Sequence, residues 1–310
     1  STPTEIPEQL TIASTQYYVR KDGNDSNPGT ENSAAGAYAT TERAIQELQG
    51  ITGANQDITI TLGDATPGDP HNFPINLDGV EGYSSVRIES ENGAANCAVR
   101  SPFSLTIFSG FRSIRLVGLE VVNTTGSFIF NNSLFANIDN CIISSALVLF
   151  SQGGTSVNVA NTSFAGSYAP SIRIFQVQER GFLGIGASCT FTIGISVLGT
   201  LIEAKDYSEV DFGATVTGLD LATIDIQTHS VARFSNMTRD ANNQPDQIDD
   251  TSIVTYSNET VTGSPQAIQG AFDSDANAGL AGVTAGQFYE TDGTGTMIPF
   301  SRPGIVMVKQ

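Results

Sequence analysis

Between Leu105 and Ile226 the sequence repeats itself in steps of 20 to 28 residues. The segment "LTIF" at 105–108 returns as "SFIF" at 127–130, "LVLF" at 147–150 and "SIRIF" at 171–175. Ile107, Ile129, Leu149, Ile174, Ile202 and Ile224 serve as anchors. After each anchor comes an alternating apolar pair: Ile114 and Leu116, Ala136 and Ile138, Val157 and Val159, Leu183 and Ile185, Val210 and Phe212. A third pair follows in Leu119 and Val121, Cys141 and Ile143, Thr162 and Phe164, with Gly, Asn and Ser in the gaps.

Three short strands per repeat, separated by polar turns, describe one coil of a right-handed parallel β-helix. A single coil cannot bury its own apolar residues, but stacked coils bury them in one continuous column. A leucine-rich repeat would need Leu at fixed positions and a regularly spaced Asn, and a β-sandwich would have longer strands and no recurring anchor. "DITITL" (57–62) and "SSVRIES" (84–90) extend the ladder upstream. The expected fold is all-β, a column of about 7–9 coils and ~35–45 Å at the usual strand spacing. Within it the anchors Ile107, Ile129, Leu149, Ile174 and Ile202 are expected in one inward column. Phe108, Phe130, Phe150 and Phe175 each follow an anchor, so strand alternation expects them outside, as an oligomer interface.

A solenoid leaves an open core and an unpaired edge at each end, and both need covering. "YYVRKDGNDSNPGT" (17–30) followed by "TTERAIQELQG" (40–50) reads as strand, polar turn and short helix. Thr40 is placed to cap that helix, Ala44, Ile45 and Leu48 share one face, and Arg43 and Glu47 pair at i,i+4. Asp22, Asn24, Asp25 and Asn27 imitate a calcium loop, but counting from Asp22 the sixth position is Asn27 and the twelfth Ser33. An EF-hand needs glycine and glutamate there, so the stretch reads as a turn and no metal site is expected. The expected division is a linker or attachment segment at 1–16, a cap at 17–56, the β-helix at 57–240 and a strand-and-loop oligomerisation region at 241–310.

The opening residues "YYVRKDGNDSNPGT" and "AYATTERAIQEL" resemble the start of many bacteriophage tailspike and tail-fibre β-helices, and of some pectate-lyase-like carbohydrate enzymes. The closing "GLAGVTAGQFYETDGTG" and "GIVMVKQ" are similar to the strand-turn-strand endings of phage fibre proteins. The resemblance implies a homotrimer on a virion, attached to other tail or capsid proteins, that recognises host surface glycan and in some members cleaves it.

The net charge of −18 leaves no positive footprint for nucleic acid, and an anionic membrane or polysaccharide would be repelled at long range. No apolar run approaches the ~20 residues of a membrane span, so no membrane insertion is expected. The first residues lack the charged and apolar regions of a signal peptide. The resemblance implies the virion as the location, and a secreted pectate-lyase-like enzyme is the weaker reading. Cys97, Cys141 and Cys189 suit neither a disulfide framework nor a zinc site and are expected as buried free thiols. No cofactor is expected.

Glycan-cleaving β-helices work with carboxylate pairs. Between Leu116 and Ile172 the only charged residues are Glu120 and Asp139. Further on, Glu203, Asp206, Glu209 and Asp211 fall within one coil, with Asp225 on the next and Glu179 on the one before. They are the candidates for a depolymerase, weighed against an acidic solvated face. His71 and His229 stand alone, with no nucleophile motif beside them. The expectation is a glycan-recognising tail protein without catalysis. The alternative is a polysaccharide hydrolase or lyase using the carboxylates at 203–225.

Overall fold

A computed structural model describes residues 13–49, 56–78, 84–101, 105–122, 126–144, 147–165, 167–168, 173–191, 194–195, 200–216, 223–235, 238–240, 247–248, 251–257, 260–262, 288–291, 297–298 and 307–308. Three sheets with parallel pairing form a β-helix. The long sheet has ten strands, from Ala13–Val19 to Ile253–Ser257. The second has eight, from Asn76–Asp78 to Gln247–Ile248, and the third has seven, from His71–Asn72 to Thr215–Val216. Six successive coils place a strand in each sheet, from the coil starting at Asn76–Asp78 to the coil ending at Thr215–Val216, and two further coils continue the second and long sheets.

The corners explain where Gly and Asn fall. Between the second and long sheets the chain turns through left-handed residues: Gly110, Asn132, Gly153, then the pairs Glu179 and Arg180, Asp206 and Tyr207, Thr228 and His229. Between the long and third sheets, Gly118, Asn140 and Asn161 do the same. Gly and Asn visit this region at least cost. At the first corner a ladder of buried hydroxyls joins coil to coil. The Phe111 N–H donates to Ser133 Oγ at 3.2 Å and the Ser133 N–H to Thr155 Oγ1 at 3.1 Å. Further along, Ser208 donates to Ser230 and Ser230 to Ser252, each at 3.2 Å. These hydroxyls satisfy amides that a bent backbone leaves without a sheet partner.

The inward column of the second sheet departs by one residue from the expected one at Ile107, Ile129 and Ile174. Thr106, Phe128, Leu149, Phe175, Ile202 and Ile224 are successive register partners and are all buried. Ile107 and Ile129 face outward, half-buried, whereas Ile174 is buried beside Phe175. A second inner row runs through Phe108, Phe130, Ser151, Val177 and Ala204. Phe108, Phe130 and Phe175 are therefore core residues, each with no exposed surface, and not an oligomer interface. Phe108 stacks on Phe130 at 4.8 Å, and Phe175 packs edge-on against Phe164 at 5.4 Å. The reason is local: in "SFIF" three consecutive residues are apolar, so alternation fits either register. The larger rings take the interior, where they remove more surface from water. Of the four, Phe150 alone lies outside, half-buried, in one row with Ile107 and Ile129.

The first strand begins at Ala13, inside the segment expected as linker, and pairs in parallel with Gln56–Leu62. Residues 1–12 and most of 241–310 lie outside the described residues; within the latter, Phe288–Thr291 pairs antiparallel with Met297–Ile298 and Met307–Val308. The helix Thr41–Gln49 is capped by Thr40, whose Oγ1 accepts the Arg43 N–H at 3.2 Å, and it buries Ala44 and Ile45. Tyr38 is the hub of the turn. Its hydroxyl donates to the Pro28 carbonyl at 2.9 Å, its ring lies 6.0 Å from Tyr17, and Arg43 sits 5.2 Å above its centroid.

The acidic groups of this turn are engaged by protein. Asp25 accepts the Ala39 and Thr40 N–H groups and the Thr40 hydroxyl, each at 2.9 Å. Asp22 pairs with Arg20 at 2.9 Å, and Asn24 Oδ1 accepts the Ser26 N–H at 2.9 Å. Such ligands are already spent, so a chelator is expected to leave the melting temperature unchanged in a thermal scan. A calcium-dependent rise would reassign the turn as a metal site.

Cys97, Leu119, Cys141, Thr162 and Cys189 stack one per coil, at the corner before the third sheet. Each cysteine is thus two coils from the next, ~9.6 Å in backbone spacing and beyond disulfide reach. All three are buried and free. Burial pushes the Cys97 thiol up to about 12 and Cys141 up to about 11, and raises Cys189. Native protein at neutral to mildly alkaline pH should therefore leave an aromatic disulfide reagent unreacted. After denaturation without reductant it should release three equivalents, and recovery of one would mean a disulfide.

Candidate functional site

The five candidate carboxylates separate into three places. Asp206 lies in the corner turn with φ 59°, and its carbonyl accepts the Arg180 N–H at 3.0 Å. Glu209 and Asp211 point outward from the long sheet, where Glu209 pairs with Arg233 and Asp211 is the register partner of Arg233. Glu203 and Asp225 are direct register partners on the second sheet, the one pair among the five that the fold brings together from separate coils onto adjacent strands. Glu179 sits in a corner turn with φ 53°. The earlier two acids do not meet: Asp139 ends a strand of the long sheet and Glu120 begins one of the third.

The outer row of the second sheet changes character along the column. It reads Ile107, Ile129, Phe150, then Gln176, Glu203 and Asp225, one residue per coil. Around Glu203 the sheet supplies partners from both sides. Gln176 Nε2 donates to Glu203 Oε2 at 2.7 Å, Arg173 pairs with the same oxygen, and Lys205 pairs with Oε1. The Glu203 side chain is left 1 % exposed, against 47 % for Arg173 and 28 % for Lys205. It is not the solvated acidic face that charge clustering alone implies.

Electrostatics split the pair. Burial alone would raise the Glu203 carboxyl, but hydrogen bonds from Lys205 and Gln176 and the charges of Arg173 and Lys205 outweigh it and hold it below the usual range. Asp225 moves the other way: burial raises it and the Glu203 charge adds to this, against a 2.6 Å hydrogen bond from Gln227 Nε2 and the attraction of Lys205 and Arg173. Two neighbouring carboxyls are thus tuned apart, one toward the ionised and one toward the protonated form.

Arg173, Gln176, Lys205 and Gln227 are absent from the candidates that the sequence suggests. Period-two spacing carries the missing signal. Glu203 and Lys205 are two apart where one strand ends, and Asp225 and Gln227 repeat that spacing one coil later. Side chains two apart share a face, so acid-with-partner pairs at the coil period mark a row. Neither histidine joins the site. His71 is buried and its Nε2 lies 2.9 Å from the Gly63 carbonyl, and His229 stacks on Tyr207 at 5.0 Å. Burial lowers the His71 pKa, which keeps the ring neutral as a donor to that carbonyl.

No protein-family model matches this sequence, and no curated protein matches it. Among solved structures, the crystal structure of the pectin methylesterase from Aspergillus niger in deglycosylated form is similar, with a TM-score of 0.53. The match covers 85 % of this chain and 93 % of that chain at 10 % sequence identity. At that identity the likeness establishes the right-handed parallel β-helix fold and nothing finer.

Proposed function

We propose that this chain is a glycan-binding β-helix, carried on a virion tail, that holds host surface polysaccharide along the outer row of its second sheet. One observation carries the reading: Gln176, Glu203 and Asp225 stack one per coil, with both Glu203 oxygens already occupied by protein donors. A row of amides and carboxyls at ~4.8 Å intervals offers hydrogen bonds to sugar hydroxyls along a chain laid on the stack. Glu203 acts as an anchor that fixes Arg173 and Lys205, while half-buried Asp225 and Gln227 face the ligand side. A carboxylate held by two cations and an amide is a poor attacking group.

The virion setting rests on the resemblance of residues 17–50 to phage tailspike and tail-fibre openings. The carbohydrate setting gains weight from the structural neighbour, a pectin methylesterase. The resemblance to phage tailspikes and fibres implies a homotrimer attached to tail or capsid proteins. Binding of purified host surface polysaccharide to immobilised protein tests the proposal. Asp225→Ala together with Gln227→Ala should weaken binding about tenfold or more, since hydrogen bonds to charged groups carry that much affinity. Undiminished binding by a folded double variant would overturn it.

The second reading, a hydrolase, is favoured by the opposed shifts at Glu203 and Asp225. Protonated Asp225 would give its proton to the glycosidic oxygen as the bond from that oxygen to the anomeric carbon breaks and a Glu203 oxygen bonds the carbon; water, returning a proton to Asp225, would then release the sugar from Glu203. Adjacent parallel strands place such groups near the ~5–5.5 Å of retaining enzymes. It requires Glu203 to be released from Arg173 and Gln176, and new reducing ends in the polysaccharide would be its signature.

A further inference from the structure

The outer face of the long sheet carries a groove of about 520 Å³, lined by Arg87, Arg112, Arg115, Asp57, Leu134 and Phe135 among others. It lies on a different sheet from the Glu203 row. We infer that this groove binds a carboxylate-bearing sugar, a uronic-acid segment of a polysaccharide. The inference rests on the glycan-binding reading and adds to it a second site and a ligand class.

Two outer rows run side by side across the groove. One places Thr59, Arg87 and Arg115 in direct register; the other, two residues away, places Asp57, Ser85, Ser113 and Phe135 in register. Like charges opposed across adjacent strands destabilise a sheet, so Arg87 beside Arg115 is a costly arrangement without an anion between them. Arg87 has a partner in Glu89. Arg115 is exposed, and among the described residues it makes no ion pair. Arg112 adds a third guanidinium to the lining, and Asp57 is its one carboxylate. From Glu91 to Glu120 the intervening charged residues are Arg100, Arg112 and Arg115, all basic in a chain of net charge −18. That net charge acts weakly here, because fields between exposed charges fade beyond ~8 Å at physiological salt.

The two rows match a uronic acid in three respects. The guanidinium fork takes a carboxylate through two parallel hydrogen bonds. Ser85 and Ser113 present hydroxyls at the spacing of adjacent strands for ring hydroxyls. Phe135, 54 % exposed, and Leu134, 60 % exposed, offer an apolar rim for the face of a sugar ring. The volume lies within the ~300–1,000 Å³ of small-ligand sites, enough for a short saccharide segment. A phosphate or sulfate ion would use the arginines but leave the exposed ring and the hydroxyl row without a role.

Calorimetric titration with the trimer of galacturonic acid, against the same trimer methyl-esterified at every carboxyl, tests the inference on the whole chain. The acid trimer should bind, with the ester weaker by about tenfold or more, as expected when a charged hydrogen-bonded pair is lost. Arg115→Gln should remove a similar factor for the acid and little for the ester, and Phe135→Ser should weaken both. If Phe135→Ser disturbs folding, exposed Arg115→Gln decides the matter alone. Equal affinity for acid and ester, or indifference to Arg115→Gln, overturns the inference. If neither trimer binds while whole host polysaccharide still binds through the Asp225 row, this groove fails and the glycan reading stands. Silence toward every glycan removes both. Failure to bind the trimers, with Arg115→Gln dissociating an oligomer in light scattering, would make the groove a contact between copies instead.

Discussion

Phe130→Ala is expected to lower stability by about 3–5 kcal/mol, the usual cost of emptying a buried aromatic site. Ile129→Asp, one residue away, should cost only about 1 kcal/mol, as outward substitutions do. Phe130 has no exposed surface and stacks on Phe108 at 4.8 Å, so the coil before it cannot collapse into the space left behind. Ile129 stands in the outer row between Ile107 and Phe150, half-buried, where an added charge keeps contact with water. The contrast separates the two possible registers of "SFIF". With Ile129 inside, Ile129→Asp would place an unpaired carboxylate in the core and the order would reverse. Urea midpoints for the two variants at equal slope decide it.

Gly29→Ala should destabilise the first turn severely, whereas Gly154→Ala should not, although both glycines have φ 74°. The left-handed backbone costs an L-residue about 1–2 kcal/mol at either place. The difference is what a Cβ meets. At Gly154 nothing lies within 4 Å, but at Gly29 it would fall 2.0 Å from Cε2 of Tyr38. That ring cannot swing away, being tied to the Pro28 carbonyl at 2.9 Å and packed against Tyr17 and Arg43. Overpacking adds about 1–3 kcal/mol at Gly29 alone. Because Tyr18 and Arg20 exchange hydrogen bonds with Tyr38 and Gly29, the loss should spread to the strand Ala13–Val19 at the end of the long sheet. Early proteolysis between residues 20 and 40 in Gly29→Ala, and not in Gly154→Ala, is the expected result. Matching melting temperatures would show that the Tyr38 ring is free to move.

The rhythm of the coils was legible because burial in a solenoid is periodic in sequence. Three alternating pairs per repeat placed the strands Ser113–Val117, Phe135–Asp139 and Ser156–Ala160 with their inward residues right: Ile114, Ala136 and Val157 are buried register partners. The second sheet misled where Phe and Ile alternate, since hydrophobicity alone does not say which of two apolar sets faces in. Ring size settles it, and no period reveals ring size as a constraint until the coil width is known. The corner hydroxyls at Ser133, Thr155, Ser230 and Ser252 looked like ordinary turn residues, yet they take amide hydrogen bonds from the coil before. At the carboxylate cluster, sequence supplied the right neighbourhood but five equal candidates. Only register shows that Glu203 and Asp225 are neighbours and that Asp206 is spent on a turn. The arginine groove was hidden by the net charge: Arg87 and Arg115 lie a coil apart in sequence, and their meeting depends on the parallel register.

The proposed function has polysaccharide held by the Asp225 row without being cut. One measurement addresses this directly: light scattering of host surface polysaccharide, size-fractionated after long incubation with the protein. The expected result is a complex of protein with polysaccharide of unchanged chain mass, and no new reducing ends. A falling chain mass that is abolished by Asp225→Asn in a folded protein would contradict it and make Glu203 and Asp225 a hydrolytic pair.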